Sequence, residues 1–425
     1  MHLRTLLIVT LAGFLSTFAQ AQSLTDSSLS LSPLMSGLST PTGFAFAGPS
    51  TSQLFAIEKN TGLVKFKSGA AVTTALDLNV NTVSERGLLG IAVPPTFSTD
   101  TTKYVYLYYS ANATAGDSSV DANWAGNKLS RFVWNGSTLS SEQNLFTIAP
   151  TSAGNGPNHD AGPITFGPDG KLYGTLGDLN RNLAEQNNQT AANTSSQVGG
   201  IYRLNPDGSI PADNPFANNA NPDFRKFYAY GVRNTFGFQF DARTNRLWDT
   251  ENGPNTYDEI NLVAPGFNSG WNKIMGPDSR DPQNAPADLV VLPGSIYSDP
   301  EFSWNTTVAP TGLEFLGAAG NDPAYRDLLI VADNNTGQLW KFTLNASRDG
   351  FVLPGNLADL VLDSGDSTSG LIFGSGFFAS QLDVGPDGAL YVASLSTGTI
   401  YRIAGVPEPS FLTMLAVLLL FPRRR

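Results

Sequence analysis

The chain contains no cysteine, and only 14% of its 425 residues are charged. The first absence excludes a disulfide-stapled scaffold, so stability has to come from the core, from a bound ion or from both. The second does not mean disorder: 41% of the residues are hydrophobic, and a chain this long can bury a large core. Histidine is scarce too, limited to His2 and His159. What the sequence has in plenty is punctuation, with 42 Gly and 27 Pro spread along it, which favours many strands over long helices.

Both ends read as targeting segments. Arg4 precedes the apolar run Leu6 to Phe18, and Ala19-Gln-Ala21 fits a small-x-small cleavage site, so residues 1–21 are expected to be a secretory signal and the mature chain to start near Gln22. Residues 406–425 open with Val406-Pro-Glu-Pro409, continue through the apolar stretch Phe411 to Phe421 and end in Arg423, Arg424 and Arg425. This stretch falls short of the roughly 20 residues a spanning helix needs. The three-part pattern resembles the PEP-CTERM sorting tail of Gram-negative bacteria, which implies export to the periplasm, cell surface or extracellular matrix and no stable membrane span in the mature form. Without residues 1–21 and 407–425 the chain keeps 21 basic and 35 acidic residues, a net charge of −14. Such a surface argues against nucleic acid and anionic membranes as partners.

Residues 22–405 carry an internal repeat. Pro41-Thr-Gly-Phe-Ala-Phe46, Leu54-Phe-Ala-Ile57 and Gly62-Leu-Val-Lys-Phe66 form one copy, and five more follow, opening at Gly87, Pro163, Phe236, Thr311 and Leu382. Each copy holds three or four short strands, and Gly-Pro-Asp-Gly turns recur at 167–170 and 385–388, each followed by x-Leu-Tyr. Six copies of such a unit predict an all-β, six-bladed β-propeller rather than a two-sheet sandwich. Three polar insertions, Ala111 to Asn127, Asn180 to Gln197 and Pro265 to Asn305, are expected to gather on one face and build the site.

The chemistry-bearing residues fall in those loops. His159, in Asn158-His-Asp-Ala-Gly162, is the one histidine outside the signal segment and hence the one candidate neutral-pH base of its type. Gly177-Asp178 closes a strand of the same copy, and Tyr230-Gly-Val-Arg-Asn234 opens the next. Glu251-Asn-Gly-Pro-Asn-Thr-Tyr-Asp-Glu-Ile-Asn261 offers carbonyls at a Gly-Pro turn beside Asp258 and Glu259, hard oxygen donors that favour Ca²⁺ over a transition metal.

These motifs, with Glu85-Arg-Gly-Leu-Leu-Gly90, Arg203-Leu-Asn-Pro-Asp-Gly-Ser-Ile-Pro211 and Gly270-Trp271, resemble those of the soluble glucose/sorbosone dehydrogenase family, in order, from about Leu38 to Gly405. The resemblance implies a six-bladed propeller that oxidises aldoses, with a small sugar or polysaccharide as partner and pyrroloquinoline quinone (PQQ) and Ca²⁺ as cofactors. It implies His159 as base, with Arg233 and Asn234 stabilising charge. It assigns Asp178, Arg233, Asn234, Asn252 and Asp258 to the cofactor and Glu85 and Asp258 to the substrate. The Gly253 and Pro254 carbonyls would hold one calcium, and Glu259 and Ser269 a second, structural one. Departures are visible. Where the family grips the cofactor's carboxylates with a Lys and an Arg-x-Arg pair, this chain has Asn335, Ser380 and Leu382, and Pro163 replaces an Arg after the His motif. Each lost charge-assisted bond is worth about 1.5–3 kcal/mol, leaving Lys341 or Arg402 as candidates to compensate. Two other readings stand beside the dehydrogenase: a calcium-stabilised propeller that binds extracellular carbohydrate without PQQ, and a calcium-dependent hydrolase of the lactonase type.

Overall fold

The computed structural model describes residues 21–151, 156–183, 186–189, 197–281, 283–317 and 325–405; the cores of the signal segment and the sorting tail lie outside the described residues. The strands form six sheets, five of which open with the repeat copies in chain order and the sixth with the last copy. Their first strands are Pro41–Phe46, Leu88–Ala92, Ile164–Phe166, Thr235–Phe240, Pro310–Leu316 and Ala379–Val384. Neighbouring sheets meet through these strands, except that the third meets the fourth through Leu172–Leu176, and Ala379–Val384 returns to Pro41–Phe46, so the sheets close into a ring around a central channel. A closed ring of small antiparallel sheets is an all-β propeller, and closure leaves only short strand edges exposed.

Burial between neighbouring sheets explains why the ring closes. Six hydrophobic clusters, one at each junction, hold it together. Between the first and second sheets Trp134 packs on Phe55 and Phe66, with ring centroids 5.0 and 4.6 Å away. Each fully buried large side chain contributes on the order of 1.5–3 kcal/mol.

Two strands lie ahead of the first repeat copy and carry no repeat signal. Leu29–Met35 pairs with Thr399–Gly405 as the outer strand of the last sheet, while Ser23–Leu24 extends the fifth. The N-terminal end thereby locks the C-terminal sheet. The repeated Gly-Pro-Asp-Gly turns adopt one geometry. Gly170 and Gly388 both take positive φ, at 71° and 77°, and their amides bond Gly167 and Gly385 at 2.9 and 2.8 Å. Arg203 and Arg402 then clamp the equivalent Asp169 and Asp387, at 2.9 and 2.7 Å. The third insertion is less loop-like than its composition suggests: Phe267–Asn268 and Ile296–Tyr297 extend the third sheet, and Phe302–Thr306 belongs to the fourth.

Glu314 and Asp383 are carboxylates on adjoining first strands of the fifth and sixth sheets, the first buried and the second half-buried at the channel wall. Burial raises both well above the ordinary carboxylate range, and the charge of Asp383 pushes Glu314 further. The folded state therefore holds protons that the unfolded chain releases. Their contribution is undiminished below about pH 4 and is lost as pH rises through the raised values. Asp383→Asn should raise the melting temperature by several degrees at about pH 8 and by much less at about pH 5. Scanning calorimetry at both pH values checks this, and a gain independent of pH would count against it.

Candidate active site

The loops that follow the second strands and precede the first strands all open at one end of the ring. There they surround a cavity of about 910 Å³ that continues down the channel. Its lining includes Glu85, His159, Arg233, Asn234, Asn252, Gly253 and Asp258, so most of the residues singled out from the sequence converge. The second and third insertions join where the buried Asn188 and Asn268 exchange two side-chain hydrogen bonds of 2.8 Å.

His159 sits in the loop before Ile164–Phe166, in the left-handed region with φ of 62°. Its backbone N–H donates to Glu85 Oε2 at 2.6 Å, and Gly177 passes so close that a Cβ there would collide with the His159 carbonyl. Asp178 Oδ1 lies 2.6 Å from His159 Nδ1, with the two side chains only 12% and 3% exposed. A carboxylate here accepts from Nδ1, so the neutral tautomer that this contact selects has its proton on Nδ1 and its lone pair on Nε2. Asp178 also accepts from Asn180 N at 2.8 Å and from the Trp271 indole N–H at 2.8 Å.

Glu85 acts as a strut. Its Oε2 accepts from the amides of His159 and Asp160 and, at 3.2 Å, from Asn234 Nδ2. The Asn234 carbonyl oxygen in turn accepts from Ala161 N at 3.2 Å. Arg233 donates to the Asn252 carbonyl at 2.7 Å and lies over the Trp271 ring at 5.3 Å, and its buried Nε–H has no partner among the described residues. Burial lowers its pKa, opposed by Asp178, Glu251, Glu85 and Asp258.

Asp258 spends its carboxylate on backbone donors: Gly253 N at 2.8 Å, Val308 N at 2.6 Å and Ala309 N at 2.8 Å. Burial pushes it up to about 6 despite those donors. It thus holds the Gly-Pro turn against the fifth sheet. Asn252 Oδ1 is buried and has no hydrogen-bond donor among the described residues. Among the described residues no hydrogen bond reaches the Gly253 or Pro254 carbonyl. Ser269 does not bond Glu259; its hydroxyl donates to Glu251 Oε2 at 2.5 Å, and Glu251 faces Glu259 across neighbouring strands. Asp249, Glu251 and Glu259 are raised by burial first and by one another next. Asp249 and Glu251, neither singled out from sequence, alternate with period two on one strand face, the signal that would have found them.

Asn335 and Ser380 line the cavity, as does Leu382, which also packs in the cluster between the fifth and sixth sheets. The proposed compensating cations do not reach it. Lys341 borders a separate surface groove with Asp26, and Arg402 is committed to Asp387. Among the described residues the fixed cations of the lining are Arg233 and Lys59, which the sequence reading passed over. Lys59 Nζ donates to Ser84 O at 2.6 Å. Pro163 lines the cavity where the Arg would stand, and its carbonyl accepts from Thr175 N at 3.1 Å.

Residues 38–402 match the family model of glucose/sorbosone dehydrogenases. The chain is 30% identical over 296 residues to quinoprotein glucose dehydrogenase B of Acinetobacter calcoaceticus, covering 63% of this chain and 58% of that protein. It is 28% identical over 249 residues to aldose sugar dehydrogenase YliI of Escherichia coli, covering 58% and 60% respectively. The chain therefore spans less than two thirds of the length of these curated relatives. The soluble aldose sugar dehydrogenase of E. coli, solved in its apo form, superposes with a TM-score of 0.67 at 23% identity, over 89% of this chain and all of that one. The PQQ-bound aldose sugar dehydrogenase of Streptomyces coelicolor gives 0.62, also at 23%, over 88% and 98%. Those two likenesses concern the fold, whereas the family match runs through every motif that meets at the cavity: the chain belongs to the glucose/sorbosone dehydrogenase family.

Proposed function

We propose that the six sheets are the six blades of a PQQ- and calcium-dependent aldose dehydrogenase. The observation that carries this reading is the His159–Asp178 pair at 2.6 Å on the wall of a cavity also lined by Arg233 and Asn234. When bound, PQQ would supply the two-electron acceptor for the hydrogen on the sugar's anomeric carbon. His159 Nε2 takes the proton of the anomeric hydroxyl, and Asp178 stabilises the imidazolium that results. Arg233 and Asn234 are placed to stabilise negative charge as it develops, in a site where burial strengthens their effect. The partnerless Arg233 Nε–H fits an anionic, oxygen-rich ligand.

Calcium is supported by the donor set rather than by a ring of acids. Among the described residues no group of three or more His, Cys, Asp or Glu is arranged to hold a metal. The Gly253 and Pro254 carbonyls and Asn252 Oδ1 are hard donors without hydrogen-bond partners among the described residues, and a divalent cation there would act as a Lewis acid on a bound quinone. The buried Glu251 and Glu259 support a second, structural ion next to Ser269. Export as a soluble protein accords with the terminal segments, and no described helix is long and apolar enough to cross a membrane.

The test is a titration of purified protein with PQQ and Ca²⁺, followed by dye-linked oxidation of aldoses. Saturable PQQ binding and calcium-dependent oxidation are expected. Excess chelator should abolish the activity and lower the melting temperature by several degrees, because a ligand bound only by the native state stabilises it by mass action. Carbohydrate binding without PQQ binding or oxidation would overturn the proposal in favour of a non-redox propeller.

A further inference from the structure

Trp271 touches the two halves of the site through different parts of one side chain. Its indole N–H donates to Asp178 Oδ2 at 2.8 Å, and its ring face lies under the Arg233 guanidinium at 5.3 Å. Among the described residues of the third insertion no other side chain contacts both. Asp178 stands after the strand Leu172–Leu176 of the third sheet, and Arg233 precedes Thr235–Phe240 of the fourth, so the insertion that carries Trp271 spans the joint between two blades. Asp178 N also donates to Arg233 O at 2.9 Å, which brings the two within one backbone contact. The backbone that carries the indole is itself fixed: Trp271 N donates to Gly231 O at 2.9 Å, and the Trp271 carbonyl accepts from Asn188 Nδ2 at 2.9 Å.

We propose that Trp271 is a positioning residue that sets the base and the cation of the active site together, the N–H through Asp178 and the ring through Arg233. The proposal rests on the dehydrogenase reading for its consequence, but not for its geometry. A carboxylate that loses a neutral donor concentrates its charge on the donors that remain, so the His159 imidazole would hold a second proton more tightly. A guanidinium that loses an aromatic face loses a cation–π contact and a fixed orientation. Neither change alters the nearby charged groups, which are Glu85 and Arg233 beside the pair, Glu251 and Asp258 beside Arg233, and Asp160, Lys59 and Arg86 beyond Glu85.

Two substitutions separate the roles. Trp271→Phe keeps a ring and removes the N–H; Trp271→Gln keeps an N–H donor at similar reach and removes the ring. With ¹⁵N-histidine-labelled full-length protein, the His159 titration midpoint should rise by roughly half a pH unit in Trp271→Phe and stay near wild type in Trp271→Gln. The Arg233 Nε–H resonance, shifted by the ring beneath it, should keep that shift in Trp271→Phe and lose it in Trp271→Gln. In the PQQ titration Trp271→Gln should bind roughly two- to thirty-fold more weakly, with Trp271→Phe close to wild type. In the loaded enzyme the acid limb of the kcat/KM profile should move with the His159 midpoint. Unchanged His159 titration in Trp271→Phe would overturn the proposal, as would both variants moving both resonances together. The two resonances decide the matter even in protein that binds no PQQ, so failure of the dehydrogenase reading and failure of this one give different results.

Discussion

His159→Ala is expected to lower kcat by roughly 10²- to 10⁴-fold in protein loaded with PQQ and calcium, the range a positioned general base contributes. The fold should survive. The imidazole is at the cavity wall and holds no cluster together, and Ala has the same Cβ, so the left-handed backbone at φ of 62° is not newly strained by the change. The loop also keeps its main anchor, because the hydrogen bond to Glu85 uses the backbone N–H of residue 159. Asp178→Asn is the sharper companion. An amide in place of the carboxylate can offer an N–H to Nδ1, which would move the imidazole proton to Nε2 and turn the base away from its substrate, a loss of about 10⁴-fold in the comparable hydrolase triad. Steady-state kinetics with a dye acceptor, alongside melting curves, read both. Full activity in either variant, with the fold intact, would remove His159 from the mechanism.

How far the site could be read from the sequence depends on how local each contact is. The repeating all-β architecture was legible because strand period and turn chemistry are local, and Gly-Pro-Asp-Gly imposes the same turn at 167–170 and 385–388. The gathering of His159, Asp178, Arg233 and Asn252 was legible because each lies where a first strand begins or a second strand ends, positions that a propeller brings to one face. Partner choice within that face was not. The indole of Trp271 meets Asp178 across 93 positions, and Ser269 meets Glu251 rather than Glu259, choices fixed by how two blades pack. Leu29–Met35 carries no turn or repeat signal and becomes a strand only because Thr399–Gly405 leaves an edge to be paired. Leu382 shows a finer case: it lines the cavity two positions after Ser380, yet it also packs in the cluster between the fifth and sixth sheets, a contact that its local sequence does not announce.

That last point decides how the cofactor site should respond to added charge. The lining holds Lys59 and Arg233 as fixed cations against Glu85, Asp258 and Asp383, a poor balance for a ligand with three carboxylates. Asn335 is exposed at the rim and its amide makes one hydrogen bond, 3.2 Å to Thr307 O, so a Lys has room there and little to displace. Ser380 is half-buried and bonds Pro41 O at 2.7 Å, and an Arg must give up that bond to enter the cavity. Leu382 is only 3% exposed, and an Arg there would bury a charge in the core. Asn335→Lys with Ser380→Arg is therefore expected to tighten PQQ binding by about ten- to a hundred-fold for each new charge-assisted bond, with a steeper loss of affinity in salt. Adding Leu382→Arg should lower the melting temperature by many degrees instead of improving affinity further. Titration of the double variant at two salt concentrations reads the first effect and calorimetry the second. An unchanged PQQ affinity in a folded double variant would mean that the anionic groups of the ligand point elsewhere, toward Lys59 and Arg233, and that the two existing cations carry the whole recognition of charge.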